Sequence, residues 1–432
     1  MANRERVANP ETRLKIPQIG VIGGSKSNLP ENLFVQQIIL NEAEEVGREL
    51  ARQGAILISG GTDGIMEACS KGSREEGGVT VGTPGRKRGS SNSFVSVEIC
   101  TPIDIGDFAF AGIHSCDSII VFPGGAGTLA ELAQAYRLKK PMIIIQGFDE
   151  WYDSLVDNWL DRSQKVRFIG AGSAKEASKI AMTEAKNPGS TNTNADLAHR
   201  DREGYLSALE QFMITYSDLR KTESGENRER LVAIDTTPFK HTEPLVDMKK
   251  LLGESIYVRQ DVNRRLGLAR EYINWYSKDK ADLLVTYGYR APSIQQKYFE
   301  RYLAKLRPEY ASETELLEAV HKKVAVPEVA GHPTGGAVDV ALVNRDGDFL
   351  DHGTKIYDLS TKEVYTFNPF LAREQKNRRV LLRKAMMSAG FAPFDGEWWH
   401  FSYGDREWAS YFGVSRSLYS PVDEEKLNIN TD

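Results

Sequence analysis

The residues best suited to do chemistry in this 432-residue chain lie in two short segments of its last quarter. They are His332-Pro-Thr-Gly-Gly-Ala-Val-Asp339 and Glu397-Trp-Trp-His400. Together they offer two imidazoles and two carboxylates. Three such groups can hold a zinc ion with a position left open for water, and the fourth can serve as general base. Neutral imidazole and ionised carboxylate are suitable zinc ligands at neutral pH. The division of labour we expect is His332, Asp339 and His400 as ligands. Glu397 would then take a proton from water and deliver it to a leaving amine. A His-x6-Asp spacing alone arises by chance, and a Trp-Trp pair is more often core than site. The assignment rests on the two segments together. The chain has three cysteines, Cys69, Cys100 and Cys116, all in the first third. Their number and spacing suit neither a disulfide framework nor a cysteine zinc site, so a metal must be held by His and carboxylate.

These side chains need elements to aim them. Asp339 lies in Ala337-Val-Asp-Val-Ala-Leu-Val343, whose alternation predicts a strand. His332 precedes it across a Gly335-Gly336 turn, so a loop imidazole and a strand carboxylate can converge. Glu397 and His400 are three residues apart and would face opposite sides of a flat strand, so a turn or bulge must bring them together.

The pattern His-x-x-Gly-x-Ala-Val-Asp followed by Glu-Trp-Trp-His-Phe resembles the D-alanyl-D-alanine dipeptidases of the VanX type. These belong to a wider zinc peptidase family that also includes D,D-carboxypeptidases. Gly288-Tyr-Arg-Ala-Pro292 resembles the family's Gly-Tyr-Arg-Pro stretch, with Ala291 as an extra residue. The resemblance implies that Arg290 is at the active site, where it would stabilise a tetrahedral oxyanion or hold a substrate carboxylate. Leu350-Asp-His-Gly-Thr354 resembles the family's Asp-Met-Gly-Thr, with His352 in place of Met, and Ala330 stands where the family often has Ser. The resemblance covers roughly residues 235–420. It implies an α+β zinc peptidase with a small antiparallel sheet and one zinc per chain. Its substrate would be D-Ala-D-Ala or a related short cell-wall peptide. The Trp-Trp form favours dipeptidase over D,D-carboxypeptidase by family habit.

The first half reads differently. Apolar strands at Ile19–Ile22, Ala55–Ser59, Gly78–Gly82, Ser118–Phe122 and Pro141–Ile145 alternate with helical patterns. This predicts an α/β, Rossmann-like, doubly wound parallel sheet. Three of these strands end in glycine-rich turns, Gly23-Gly-Ser25, Gly60-Gly-Thr-Asp-Gly64 and Pro123-Gly-Gly-Ala-Gly-Thr128. Glycines at strand ends let the backbone approach a phosphate, and a helix N-terminus favours an anion. The candidate nucleotide-binding residues are Gly24, Ser25, Gly60, Gly61, Gly124, Gly125, Gly127, Thr128 and Glu131.

Residues 16–180 resemble the LOG-type proteins, once labelled lysine decarboxylases, whose active members are nucleotide phosphoribohydrolases. The motif Pro-Gly-Gly-x-Gly-Thr-x-x-Glu matches at residues 123–131, with Glu131 at the family's catalytic position. The family's Arg-Lys pair upstream of this motif does not match, and the expected arginine falls near Phe108. Arg86, Lys87 and Arg88 are the substitutes at hand. We therefore expect nucleotide binding or sensing here in preference to hydrolysis. The resemblance also implies a homodimer through this domain.

The length calls for two domains. We expect a polar tail at 1–15, the LOG-like domain at 16–185, a linker with a helix at 186–234, the peptidase domain at 235–420 and a tail at 421–432. The linker helix is predicted over Gly204–Leu219. Hydrophobic residues are 41% and charged residues 27%, as in a globular protein, and the net charge of −5 argues against a nucleic-acid partner. No apolar run approaches the roughly 20 residues of a membrane span, the first residues lack a signal-peptide core, and a cytoplasmic location follows as an expectation. His114, His199, His241 and His321 have no ligand-like company in sequence.

Overall fold

The computed structural model describes residues 16–101, 111–191, 202–210, 213–234, 246–253, 255–278 and 280–424. The chain divides into two compact units, Met1–Asp196 and Leu197–Asp432. Among the described residues no helix is long and apolar enough to cross a membrane.

The first unit is built on seven strands: β1 (Gln18–Ile22), β2 (Ile56–Ser59), β3 (Val79–Gly85), β4 (Val97–Cys100), β5 (Ser118–Val121), β6 (Met142–Ile145) and β7 (Phe168–Ala171). They form one sheet in the order β4-β3-β2-β1-β5-β6-β7, and all pairings are parallel. Ile119, Ile120 and Val121 of β5 and all four residues of β6 are fully buried, as strands covered on both faces must be. The order runs outward from β1 in one direction and from β5 in the other. Right-handed crossovers of opposite sense then place helices on both faces, and the ends of β1 and β5 flank the switch point.

Helix α1 (Leu33–Arg52) starts where Asn32 accepts from the N–H groups of Phe34 and Val35, and it buries Val35, Ile39, Ala43, Val46 and Leu50 on one face. Helix α2 (Ile65–Glu75) crosses it at backbone contact. A Cβ on Gly47 would lie 2.0 Å from the Cys69 carbonyl oxygen, and one on Gly72 would lie 1.8 Å from that of Glu44. Only glycine fits at either position. Helix α3 (Ala126–Arg137) follows β5 directly, out of the Pro123-Gly-Gly turn.

In the second unit, α4 (Arg202–Leu209) and α5 (Tyr216–Leu219) replace the single helix expected over 204–219. Thr215 is extended and forms a capping box with Asp218, which starts a new helix instead of continuing the old one. Tyr216 and Leu219 are buried against Val326 and Val329. Strands β8 (Leu231–Ala233) and β9 (Tyr257–Arg259) make a two-stranded ribbon. Strands β10 (Ala281–Tyr287), β11 (Ala337–Asn344), β12 (Ala392–Pro393) and β13 (His400–Ser402) form an antiparallel sheet in the order β10-β11-β13-β12. Helices α6 (Gln260–Ser277) and α7 (Arg373–Ser388) pack on each other and on this sheet. This is the small antiparallel α+β arrangement expected of the second half. Val422 also docks on this unit, its N–H donating to the Pro333 carbonyl at 2.8 Å.

Candidate functional site

Sheet register builds the site. Tyr287 on β10, Asp339 on β11 and His400 on β13 are direct partners across three adjacent strands, so their side chains share one face. His332 enters from a single 3₁₀ turn, His332–Thr334, which Gly335 closes with a φ of +73°. Arg259, 2% exposed, pins that turn, its backbone N–H bonding the Gly335 carbonyl at 2.9 Å and its Nε the Thr334 carbonyl at 2.7 Å. The Gly288-Tyr-Arg290 segment braces the turn from the other side. Arg290 N–H donates to the His332 carbonyl at 3.1 Å, and His332 Nδ1 lies 2.8 Å from the Gly288 carbonyl. A carbonyl only accepts, so Nδ1 carries the proton and Nε2 keeps its lone pair.

One ligand atom from each of His332, Asp339 and His400 lies within 4.8 Å of the others. Asp339 Oδ1 is 2.9 Å from His400 Nδ1, and Asp339 Oδ2 is 3.5 Å from His332 Nε2. Glu397 lies in the turn before β13, where Glu397 N–H bonds the Phe394 carbonyl and His400 N–H bonds that of Glu397. That is the turn the three-residue spacing required.

Burial dominates the electrostatics of the cluster. Burial pushes the Glu397 carboxyl up to about 7 and the Glu407 carboxyl up to about 8, and raises that of Asp405. Burial would also raise Asp339, but His332 and His400 hold it well below the usual range. Burial lowers His332 to about 4, so it is neutral. Burial opposes charge on His400 too, yet Glu407, Asp339 and Glu397 together raise it to about 10. Asp339 is thus the ionised carboxylate of the cluster, and His400 is the imidazole it touches. With converging donors, a neutral His332 and an ionised Asp339, the residues fit a divalent metal.

Arg290 lies beside the cluster. Its Nε is 3.2 Å from the Tyr287 hydroxyl, its Nη1 bonds Gln295 Oε1 at 2.8 Å, and its guanidinium stacks over the Tyr287 ring. Sequence reasoning missed several neighbours. Thr286 Oγ1 donates to the Asp339 carbonyl at 3.2 Å and so accepts from the Tyr357 hydroxyl at 2.7 Å. Tyr357 holds a left-handed φ of +65°. Asp405 and Glu407 were missed as well. Their one sequence signal is a charged triplet, Asp405-Arg-Glu407, within an aromatic-rich stretch.

In the first unit the strand-end turns meet in part. Gly24 N–H donates to the Pro123 carbonyl at 3.0 Å, and the Tyr152 hydroxyl donates to the Gly124 carbonyl at 3.0 Å. Ser25 Oγ is 3.0 Å from Asn28 Nδ2, and a Cβ on Gly125 would lie 2.5 Å from Asn28 Oδ1. Thr128 is buried against Gly124, whereas a Cβ on Gly127 would meet nothing within 4 Å. Gly60 and Gly61 are buried at the end of β2, and Gly61 packs toward Gly82 of β3. It is Asp63 and Gly64 that reach Gly24–Lys26, with Asp63 Oδ1 accepting from Lys26 N–H at 2.9 Å. Burial pushes the Glu131 carboxyl up to about 8. Arg86, Lys87 and Arg88 lie on the loop after β3, whose N–H groups at Gly89, Ser90 and Ser91 hold the Glu98 carboxylate. Phe108, His199 and His241 lie outside the described residues.

Two family models match the chain: the SLOG cluster4 family over residues 16–180 and the D-ala-D-ala dipeptidase family over residues 263–417. A D-alanyl-D-alanine dipeptidase from Synechocystis sp. is 32% identical over 187 residues, covering 36% of this chain and 73% of that protein. An uncharacterized protein from Archaeoglobus fulgidus is 36% identical over 141 residues, covering 31% of this chain and 87% of its own. Among solved structures, the molybdenum cofactor binding protein from Rippkaea orientalis is 25% identical, over 39% of this chain and 98% of that one, with a TM-score of 0.34. The chain therefore joins a SLOG-type unit to a peptidase unit, and through the latter it belongs to the D-Ala-D-Ala dipeptidase family.

Proposed function

We propose that the second unit is a zinc-dependent dipeptidase, holding one zinc per chain and cleaving D-Ala-D-Ala or a closely related short peptide in the cytoplasm. The observation that carries this reading is the convergence of His332, Asp339 and His400 from three separate elements to within 4.8 Å. His332, Asp339 and His400 would hold the zinc ion, which would supply Lewis acidity toward the scissile carbonyl and lower the pKa of water at the site. Glu397, poised at about 7, takes the proton of the attacking water and returns it to the leaving amine. Arg290 offers guanidinium donors to the carbonyl oxygen as negative charge builds there. Its bonds to Tyr287 and Gln295 fix its direction in advance. The test is metal content and a peptide panel of D,D, L,D and L,L dipeptides alongside longer D,D peptides. We expect about one zinc per chain and turnover of D-Ala-D-Ala, with Glu397→Ala keeping the metal and losing activity. Faster cleavage of longer peptides would favour a D,D-carboxypeptidase, and an undiminished Glu397→Ala variant would overturn the mechanism.

We infer for the first unit a nucleotide-like ligand at the junction of β1 and β5, with a role in regulating the peptidase or pairing two copies of the chain. The Gly24–Pro123 backbone contact sets the two strand-end turns side by side, and the glycine turn leads into the N-terminus of α3, which favours an anion. Incubation with AMP, followed by chromatography, separates binding from hydrolysis. We expect binding without release of free adenine, because the arginine that active phosphoribohydrolases carry is missing from its sequence position.

A further inference from the structure

His400 meets a carboxylate at each ring nitrogen. Nδ1 is 2.9 Å from Asp339 Oδ1, and Nε2 is 3.9 Å from Glu407 Oε2. Glu407 sits in the first turn of helix α8 (Arg406–Tyr411). That helix is tied down at both ends of its first turn. Asp405 caps it, accepting from the Trp408 N–H at 2.9 Å, and the Trp408 indole donates to the Gly390 carbonyl at 3.1 Å. The Glu407 side chain is 13% exposed, and among the described residues its buried Oε1 has no hydrogen-bond partner. A buried carboxylate oxygen left unpaired is destabilising, so its retention beside a histidine calls for a reason.

The reason lies in the tautomers of His400. A neutral imidazole carries one proton. On Nδ1 that proton is donated to Asp339, and the nitrogen facing the metal position has no lone pair to give. On Nε2 it needs an acceptor on the outer side of the ring, and Glu407 is the carboxylate there. We propose that Glu407 is a positioning residue for the metal centre, accepting the Nε2 proton of His400 and so holding the tautomer that frees Nδ1 for a metal. The 3.9 Å separation is within ion-pair reach, and a shift of about 1 Å completes the hydrogen bond. Outer carboxylates of this kind fix ring orientation and raise ligand basicity.

The inference rests on the metal reading of His332, Asp339 and His400, and the experiment separates the two. The full chain, loaded with zinc, is titrated against a competing chelator, and the imidazole nitrogens are followed by ¹⁵N NMR. We expect the wild type to bind zinc and to show a hydrogen-bonded Nε2–H on His400. In Glu407→Ala, zinc affinity falls about 10- to 100-fold and that Nε2–H signal moves or exchanges away. Glu407→Gln preserves shape and an acceptor oxygen, so it keeps the signal with a smaller loss of affinity. It also carries the test should the alanine variant fail to fold. A wild type that takes up no zinc overturns both the metal reading and this role. A wild type that binds zinc, with variants matching it in affinity and in the Nε2–H signal, overturns the role of Glu407 alone.

Discussion

His352 takes the place of a methionine in the family's pattern, and its surroundings explain how an imidazole is accommodated there. It stacks flat on Trp398, with centroids 4.2 Å apart and planes 5° off parallel. Its Nδ1 donates to the Leu350 carbonyl at 2.7 Å, while Nε2 is buried without a partner among the described residues. Burial therefore holds its pKa down to about 3, against 6.5 for the free side chain. The unfolded chain takes up a proton at His352 as pH falls below 6.5, and the folded chain resists until about pH 3. The stability of the neutral form is thus full above pH 6.5 and is lost on descending through that window, by about 2 kcal/mol at pH 5. His352→Met removes this liability, so its thermal midpoint should fall less between pH 7 and pH 5 than that of the wild type. Arg290 makes a second residue-scale test. Lysine has no planar fork to bond Tyr287 and Gln295 together, and Arg290→Lys should lower kcat about 10²- to 10³-fold with a smaller change in KM, read by steady-state kinetics.

At the scale of elements, the decisive contacts are backbone approaches that a side chain would block. Helices α1 and α2 meet at Gly47 and Gly72, each facing a carbonyl of the other helix. Gly72→Ala should destabilise the first unit by about 1–3 kcal/mol, because the helices must separate to admit a methyl group. Chemical denaturation followed by circular dichroism measures this. Arg379 does comparable work in the second unit. Fully buried, it donates to the carbonyls of His352, Glu363 and Tyr365 and fixes the irregular segment that carries Tyr357 and Thr354. Thr354 in turn accepts from the Trp398 indole at 2.9 Å, next to the Glu397 turn.

At the scale of the molecule, two units with separate cores should respond separately to a ligand that binds one of them. Zinc at a hundredfold excess over its dissociation constant stabilises the unit that binds it by about 2.7 kcal/mol. Adding zinc to metal-stripped protein should therefore raise only one of two calorimetric transitions, and a chelator should reverse the shift. A nucleotide bound by the first unit should raise the other. Movement of both transitions together would show that the units unfold as one.

The sequence alone determined what local pattern can determine. Continuous apolar strands alternating with helical patterns specified the parallel sheet, because a strand buried on both faces has no polar face to write. Residue chemistry and the Gly335-Gly336 turn singled out His332, Asp339, Glu397 and His400 as a group. The tertiary structure decided what depends on contacts between distant segments. Strand register set Tyr287, Asp339 and His400 side by side. The Thr215 capping box starts a second helix inside the stretch, Gly204–Leu219, that the sequence reads as one. Chain folding brought Asp63 and Gly64, in preference to Gly60 and Gly61, against Gly24. It also brought Glu407 to the outer nitrogen of His400, a pairing no spacing rule announces, because it depends on how the chain turns between β13 and the helix that follows.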